Sequence, residues 1–202
     1  LHEPRGKWGV GLGFAVSPTG ADHLVMAHDP CFESEGEFLE ELAPLGLSSP
    51  VPSLSIGEEK IRLNVVLQCA WSIYNVLGMC IFVGVPERKM FTYQDIAELI
   101  QACTGFETTI GDMMIAAERS INLARIFNVR EGFTAADDRL PKRFFQPLKR
   151  GPLKGVAIPE EEFEEGVKLY YRLRGWSPEG VPSQEKLDEL GIGWAAAAVQ
   201  SG

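Results

Sequence analysis

Two stretches of the chain carry residue types able to do chemistry. The first, Asn75-Val76-Leu77-Gly78-Met79-Cys80, closes a long apolar segment with a glycine and a single cysteine. A thiol there has two readings: a buried core residue, or one ligand of a cluster whose other ligands lie elsewhere. The second is Gly20-Ala21-Asp22-His23-Leu24. Imidazole titrates near neutrality and Asp22 can tune it, so His23 is a candidate acid or base, with a surface histidine as the plain alternative. His2 and His28 carry less argument. Cys69 and Cys103 fall on apolar helix faces and read as core, and Cys31 lies in a loop with no role assigned. No C-x-x-C pair exists, so no zinc or cluster site is spelled out locally. Gly9-x-Gly11-x-Gly13 has the glycines of a nucleotide loop but neither the strand before it nor the spacing after it, which argues against a dinucleotide site.

The elements that must position these residues are helices. Residues 1–57 read as irregular, dense in glycine and proline, with one short helix over Glu33–Leu42. A loop of that length is functional or packs on something absent. Glu58–Leu77 reads as a helix apolar on nearly every face, which belongs at the centre of a core, with Gly78 as its stop. Thr92 and Thr109 are expected N-caps. The helix after Thr92 carries Ile96, Leu99, Ile100 and Cys103 at spacings of three and four. The helix from Thr109 to about Asn128 carries Ile110, Met113, Met114, Ala117, Ile121, Ala124 and Phe127 on one stripe. Glu118, Arg119, Asn122 and Arg125 are on or near its other face. Residues 130–156 read as loop. Pro159 fits a first helical position, Glu160, Glu161 and Glu162 suit the helix dipole, and Phe163, Val167, Tyr170 and Tyr171 form the buried stripe. Ser177-Pro178-Glu179-Gly180 is a turn, and Ser183 caps a short helix closed by Gly191. The class is mainly α, divided as a loop-rich segment 1–57 on the active-site side and a helical domain 58–202. Ala195–Ala198 is the one low-complexity run.

Composition narrows the function. The chain has 202 residues, 45% hydrophobic and 23% charged, enough apolar material for a core without staples. A net charge of −9 argues against a nucleic-acid binder or an anionic membrane surface. The longest apolar candidate, Val65–Val85, is interrupted by Gln68, Ser72, Asn75 and Gly78, so no membrane span is expected. No secretory leader is expected, and four irregularly spaced cysteines suit a reducing cytoplasm. Leu1 in place of Met suggests a processed chain or a piece of a longer one.

Several stretches together resemble one family. They are Glu3-Pro4-Arg5-Gly6, Ser17-Pro18-Thr19-Gly20-Ala21-Asp22-His23-Leu24, Asn75 to Cys80, Ala117 to Asn128, Arg130 to Thr134, Asp137-Asp138-Arg139-Leu140-Pro141, and Tyr170 to Trp176 followed by Gly180-Val181-Pro182. In order and extent they are similar to the C-terminal helical part of the tungsten-containing aldehyde ferredoxin oxidoreductases.

The resemblance implies a great deal. In that family a β-rich N-terminal domain carries a bis-pterin tungsten centre, covered by two helical domains. A [4Fe-4S] cluster is held by a C-x2-C-x3-C group and by one distant cysteine that ends a D-x-x-G-L-C stretch. Cys80 matches that cysteine, and Asn75, Gly78 and Met79 fall on the pterin-binding stretch. Asn75 stands where the family has Asp, which removes a charge from the pterin contact, and Met79 replaces Leu. His23 matches the active-site histidine. The implied function is aldehyde oxidation to a carboxylic acid at a tungsten or molybdenum centre. Electrons would leave through the cluster to ferredoxin. The fragment alone is expected to be inactive without its N-terminal domain. The alternative is a non-catalytic helical module that kept the fold and lost the cofactor. The substrate aldehyde, and whether the protein is a homo-oligomer, are left open.

Overall fold

The longest apolar helix of the sequence becomes the pivot of the structure, a computed structural model that describes residues 2–84 and 90–197. Leu1, the Val85 end of the apolar stretch and the Ala198 end of the alanine run lie outside the described residues. The α-helices are α1 (Trp8–Val16), α2 (Glu37–Leu42), α3 (Glu58–Leu77), α4 (Tyr93–Thr104), α5 (Ile110–Arg130), α6 (Glu160–Arg174) and α7 (Gln184–Glu189). Among the described residues there is no strand, only an isolated bridge between Trp176 and Pro182, so the mainly α class holds. No helix among them is long and apolar enough to cross a membrane.

α3 packs against α1, α5 and α6. It can do so because its buried residues, among them Ile61, Leu63, Leu67, Ala70, Ile73 and Tyr74, cover most of its circumference. Burying each large aliphatic side chain contributes about 1.5–3 kcal/mol. One continuous core runs from Leu12 to Trp176, and a smaller one joins Ile126 to Leu187, Leu190, Ile192 and Ala195.

Several caps fall where the sequence puts them. Gly78 ends α3 at φ 65°, the left-handed region where a Cβ is costly. Thr92 and Thr109 each form a full capping box, with Asp95 and Asp112. Ser183 accepts from the Lys186 N–H at the start of α7. Pro159 is the N-cap of α6, one position before the expected one. The short N-terminal helix is narrower than expected, Glu37–Leu42, with 3-10 turns at Asp29–Phe32 and Ala43–Leu45.

Other expectations are corrected. The stretch read as irregular contains α1, a buried helix holding all three glycines of Gly9-x-Gly11-x-Gly13. The glycines serve close packing: a Cβ on Gly9 would lie 2.5 Å from Asp29 Oδ1 and 2.9 Å from Asn64. Cys103, expected in the core, is exposed. The α4 face turns in at Tyr93, Ile96 and Ala97 and has reached the surface by Leu99. On α5, Phe127 is 54% exposed, whereas Asn122 and Arg125 of the opposite face are buried. They are tolerated there because both are hydrogen-bonded. Asn122 Oδ1 accepts from Trp176 Nε1 at 2.8 Å, and Arg125 Nε donates to the Gly180 carbonyl at 2.7 Å. These bonds fasten the loop after α6 onto α5.

Candidate functional site

The loop after α1 is shaped by its own side chains. Ser17 Oγ accepts from the Thr19 N–H at 3.2 Å, and Asp22 Oδ1 accepts from the Leu24 N–H at 2.9 Å. Asn128 of α5 donates to the Pro18 carbonyl at 2.9 Å and holds the loop against the helical body. Beyond α3, the Met79 N–H returns to the Tyr74 carbonyl at 2.9 Å, which closes the helix and turns the chain toward Cys80. Met79 packs on the core, whereas Cys80 is exposed. Burial first, and then the charge of Glu41, push the Tyr74 hydroxyl up to about 12, so it stays protonated at neutral pH.

These two loops meet. A cleft of about 450 Å³ is walled by Pro18, Thr19, Asp22, Leu24 and Val25 on one side and by Gln68, Ser72 and Asn75 of α3 on the other, with Ile81 and Ile121 completing it. Asn75 and the residue before His23 therefore share one cavity, and the residue after Cys80 lines it too. Val76 and Leu77 stay exposed beside it, and so does Phe82. Of the residues singled out from the sequence, Asn75 lines the cleft, while Gly78 and Cys80 are exposed in the segment between Asn75 and Ile81. Met79 turns inward, and His23 turns away to a cluster with His2 and His28.

Beneath the cleft lies a buried polar layer that periodicity could not reveal. Arg174 is fully buried and donates to Cys69 Sγ at 3.0 Å, to the Val65 carbonyl at 3.1 Å and to Gln68 Oε1 at 3.0 Å. Burial works against its charge, but the neighbouring Cys69 and Tyr170 outweigh it and hold the guanidinium above its ordinary value. Tyr170 donates to the same Gln68 oxygen. Gln68 is the one member of this layer that reaches the cleft wall.

A larger cleft of about 900 Å³ lies elsewhere, lined by Phe133, Asp138, Leu140, Phe163 and Tyr171 among others. It contains none of the predicted site residues. The smaller cleft is the candidate because it unites both chemistry-bearing stretches.

The residues fit a partial cofactor site. Among the described residues no three His, Cys, Asp or Glu side chains are grouped to hold a metal ion. Cys80 presents one outward thiol on a loop, which suits a single ligand to a group held mainly from outside this chain. The exposed backbone around Gly78, with nothing within 4 Å of the Cβ position, leaves room for a flat partner.

Comparison with known proteins shows what the chain is similar to. The family model described as "Aldehyde ferredoxin oxidoreductase, domains 2 & 3" matches residues 1–192. A tungsten-containing aldehyde ferredoxin oxidoreductase of Pyrococcus furiosus is 31% identical over 193 residues, 95% of this chain and 29% of that protein. The enzyme of the same name from Pyrococcus horikoshii is 29% identical over the same shares. The aliphatic sulfonate oxidoreductase, WOR-like subunit, of Pyrococcus furiosus is 29% identical over 195 residues. The chain thus spans less than a third of the length of these relatives. Among solved structures, the active site complex BamBC of benzoyl coenzyme A reductase, in complex with 1,5-dienoyl-CoA, superposes with a TM-score of 0.68 at 19% identity. The match covers 94% of this chain and 31% of that one, and it shows the shared fold.

Proposed function

The chain belongs to the aldehyde ferredoxin oxidoreductase family, and from that premise we propose that it is the C-terminal helical part of a tungsten or molybdenum pterin enzyme that oxidises aldehydes to carboxylic acids. Its electrons pass through a [4Fe-4S] cluster to ferredoxin, in the cytoplasm. When bound, the metal–pterin centre supplies the two-electron redox chemistry. In this reading residues 1–57 supply the active-site side through the His23 loop, and residues 58–202 supply the helical cover. Cys80 gives one thiolate ligand to the cluster. Asn75 and the backbone at Gly78 and Met79 meet the pterin, and the His23 imidazole holds or moves a proton and orients substrate. The isolated chain is inactive because the family's remaining ligands belong to its N-terminal domain.

The observation that carries this reading is the shared cleft: Asn75 and Asp22, far apart in sequence, line one cavity next to an exposed Cys80. The test uses the full-length parent. Cys80→Ala is expected to lower iron content and abolish aldehyde oxidation, and His23→Ala to lower kcat with metal content intact. Unchanged iron in the Cys80 variant would overturn the ligand role.

The second reading, a helical module without cofactor, is favoured by Asn75 in place of Asp. Cluster absorbance in the anaerobic parent protein would count against it. Restored or tighter pterin binding in Asn75→Asp would mark Asn75 as a weakened contact rather than a lost one.

A further inference from the structure

All three histidines of the chain meet at one place. The His2 and His23 rings stack with centroids 4.4 Å apart, and His28 meets His2 edge-on at 4.2 Å. Lys7 Nζ lies 3.1 Å from His28 Nδ1 and 3.4 Å from His2 Nδ1. His28 Nε2 lies 3.1 Å from the His23 carbonyl oxygen.

These contacts admit one consistent set of protons. An ammonium has donors and no acceptor, so both Nδ1 atoms accept from Lys7. A neutral imidazole that accepts at Nδ1 carries its proton at Nε2. In His28 that proton faces the His23 carbonyl, which can only accept. Lys7, His28 and His23 thus form a directional chain of hydrogen bonds.

The chain runs from rigid backbone to an exposed turn. Lys7 is the N-cap residue of α1, and the next N–H, of Trp8, is bonded to the Ser53 carbonyl at 2.9 Å. His28 precedes Asp29, whose carboxylate accepts from the Gly9 and Val10 N–H groups and pairs with Lys60. His23, by contrast, is exposed on the turn that follows Gly20. We propose that Lys7 and His28 are positioning residues for His23, fixing its backbone through the carbonyl and so holding its ring against His2. The tie stands on its own geometry, and its consequence for catalysis rests on the role given to His23 above.

Acid should undo the tie. Among the charged and titratable groups that act on it are Lys7, His2, His23 and the N-terminal amine. Three carboxylates nearby have other partners: Asp22 with the Leu24 N–H, Asp29 with α1 and Lys60, and Glu3 with Arg5. A second proton on His28 would make Nδ1 a donor facing the Lys7 ammonium, and attraction would become repulsion. Partial burial and then the charges of His28, Lys7 and His23 hold the His2 imidazole below its ordinary value, which favours its neutral form.

The experiment is 15N NMR of the imidazole nitrogens in the 202-residue chain. At neutral pH His28 is expected as the Nε2–H tautomer. Lys7→Met should raise the titration midpoint of His2 and shift the His23 amide signal, and Lys7→Arg, which keeps a donor, should leave the tautomer in place. In the full-length parent, His28→Gln keeps an N–H for the His23 carbonyl and should retain more kcat than His28→Leu, whose acid limb should move. An Nδ1–H tautomer at His28 in the unaltered chain would overturn the proposal, and so would a His23 signal indifferent to Lys7→Met. Neither result depends on the His23→Ala kinetics, which decide whether His23 serves the reaction.

Discussion

Asp29 and Lys60 form an ion pair sealed from solvent, with side chains 1% and 0% exposed. The same carboxylate accepts from the Gly9 N–H at 3.0 Å and the Val10 N–H at 2.9 Å. It therefore satisfies the positive end of α1 while tying that helix to α3, the pivot of the fold. Because α1 leads directly into the loop carrying Asp22 and His23, this pair sets one wall of the cleft that Asn75 completes.

Lys60→Met is expected to destabilise the chain by about 3–5 kcal/mol, the cost of leaving a buried charge without its partner. Denaturant unfolding measures it. The double variant with Asp29→Asn should lose less than the sum of the single variants, because the two side chains share one interaction. Additive losses would show that the pair is not coupled.

Cys80→Ala should change the stability of the chain by no more than about 0.5 kcal/mol, since the thiol is exposed and away from the core. Cys69→Ala should cost about 1–3 kcal/mol, because Arg174 loses an acceptor in a fully buried site. A Cys80 variant as unstable as the Cys69 variant would make Cys80 a packing residue.

Asn122→Ala removes the acceptor of the buried Trp176 N–H and is expected to cost about 1–3 kcal/mol. The loop after α6 should loosen with it, read as faster hydrogen exchange at Ser177 and Gly180. Unchanged exchange there would place the loop's anchorage entirely on Arg125.

Stability should fall on acidification below about pH 4.5, the ordinary glutamate value. The Glu33 carboxyl is held low by the Ser53 N–H at 2.8 Å, and Glu3 by the Arg5 guanidinium. A carboxylate whose folded value is depressed stabilises the fold fully above its unfolded value, and that contribution is lost as pH falls through the folded one. Glu33→Gln should flatten the acid limb of a thermal-unfolding profile, leaving the neutral-pH slope unchanged.

Much of this was legible in the chain itself. The helix Glu58–Leu77, its glycine stop, both threonine capping boxes and the buried stripe of α6 follow from local rules: apolar period, cap chemistry and left-handed glycine. The motif stretches identified the family for the same reason, since they are contiguous in sequence. What the chain could not disclose is which polar residues meet. Asn122, Arg125 and Arg174 look like a solvated face until the tertiary packing buries them with partners from distant segments. α1 was hidden because three glycines suppress its helix propensity, and only the close approach of distant residues, Asp29 at Gly9, Ile158 at Gly11 and Met26 at Gly13, explains why they are there. Similarly, His2, His23 and His28 are scattered singly in sequence. Their meeting around Lys7, and the cleft joining Asp22 to Asn75, are products of long-range packing, which no local periodicity encodes.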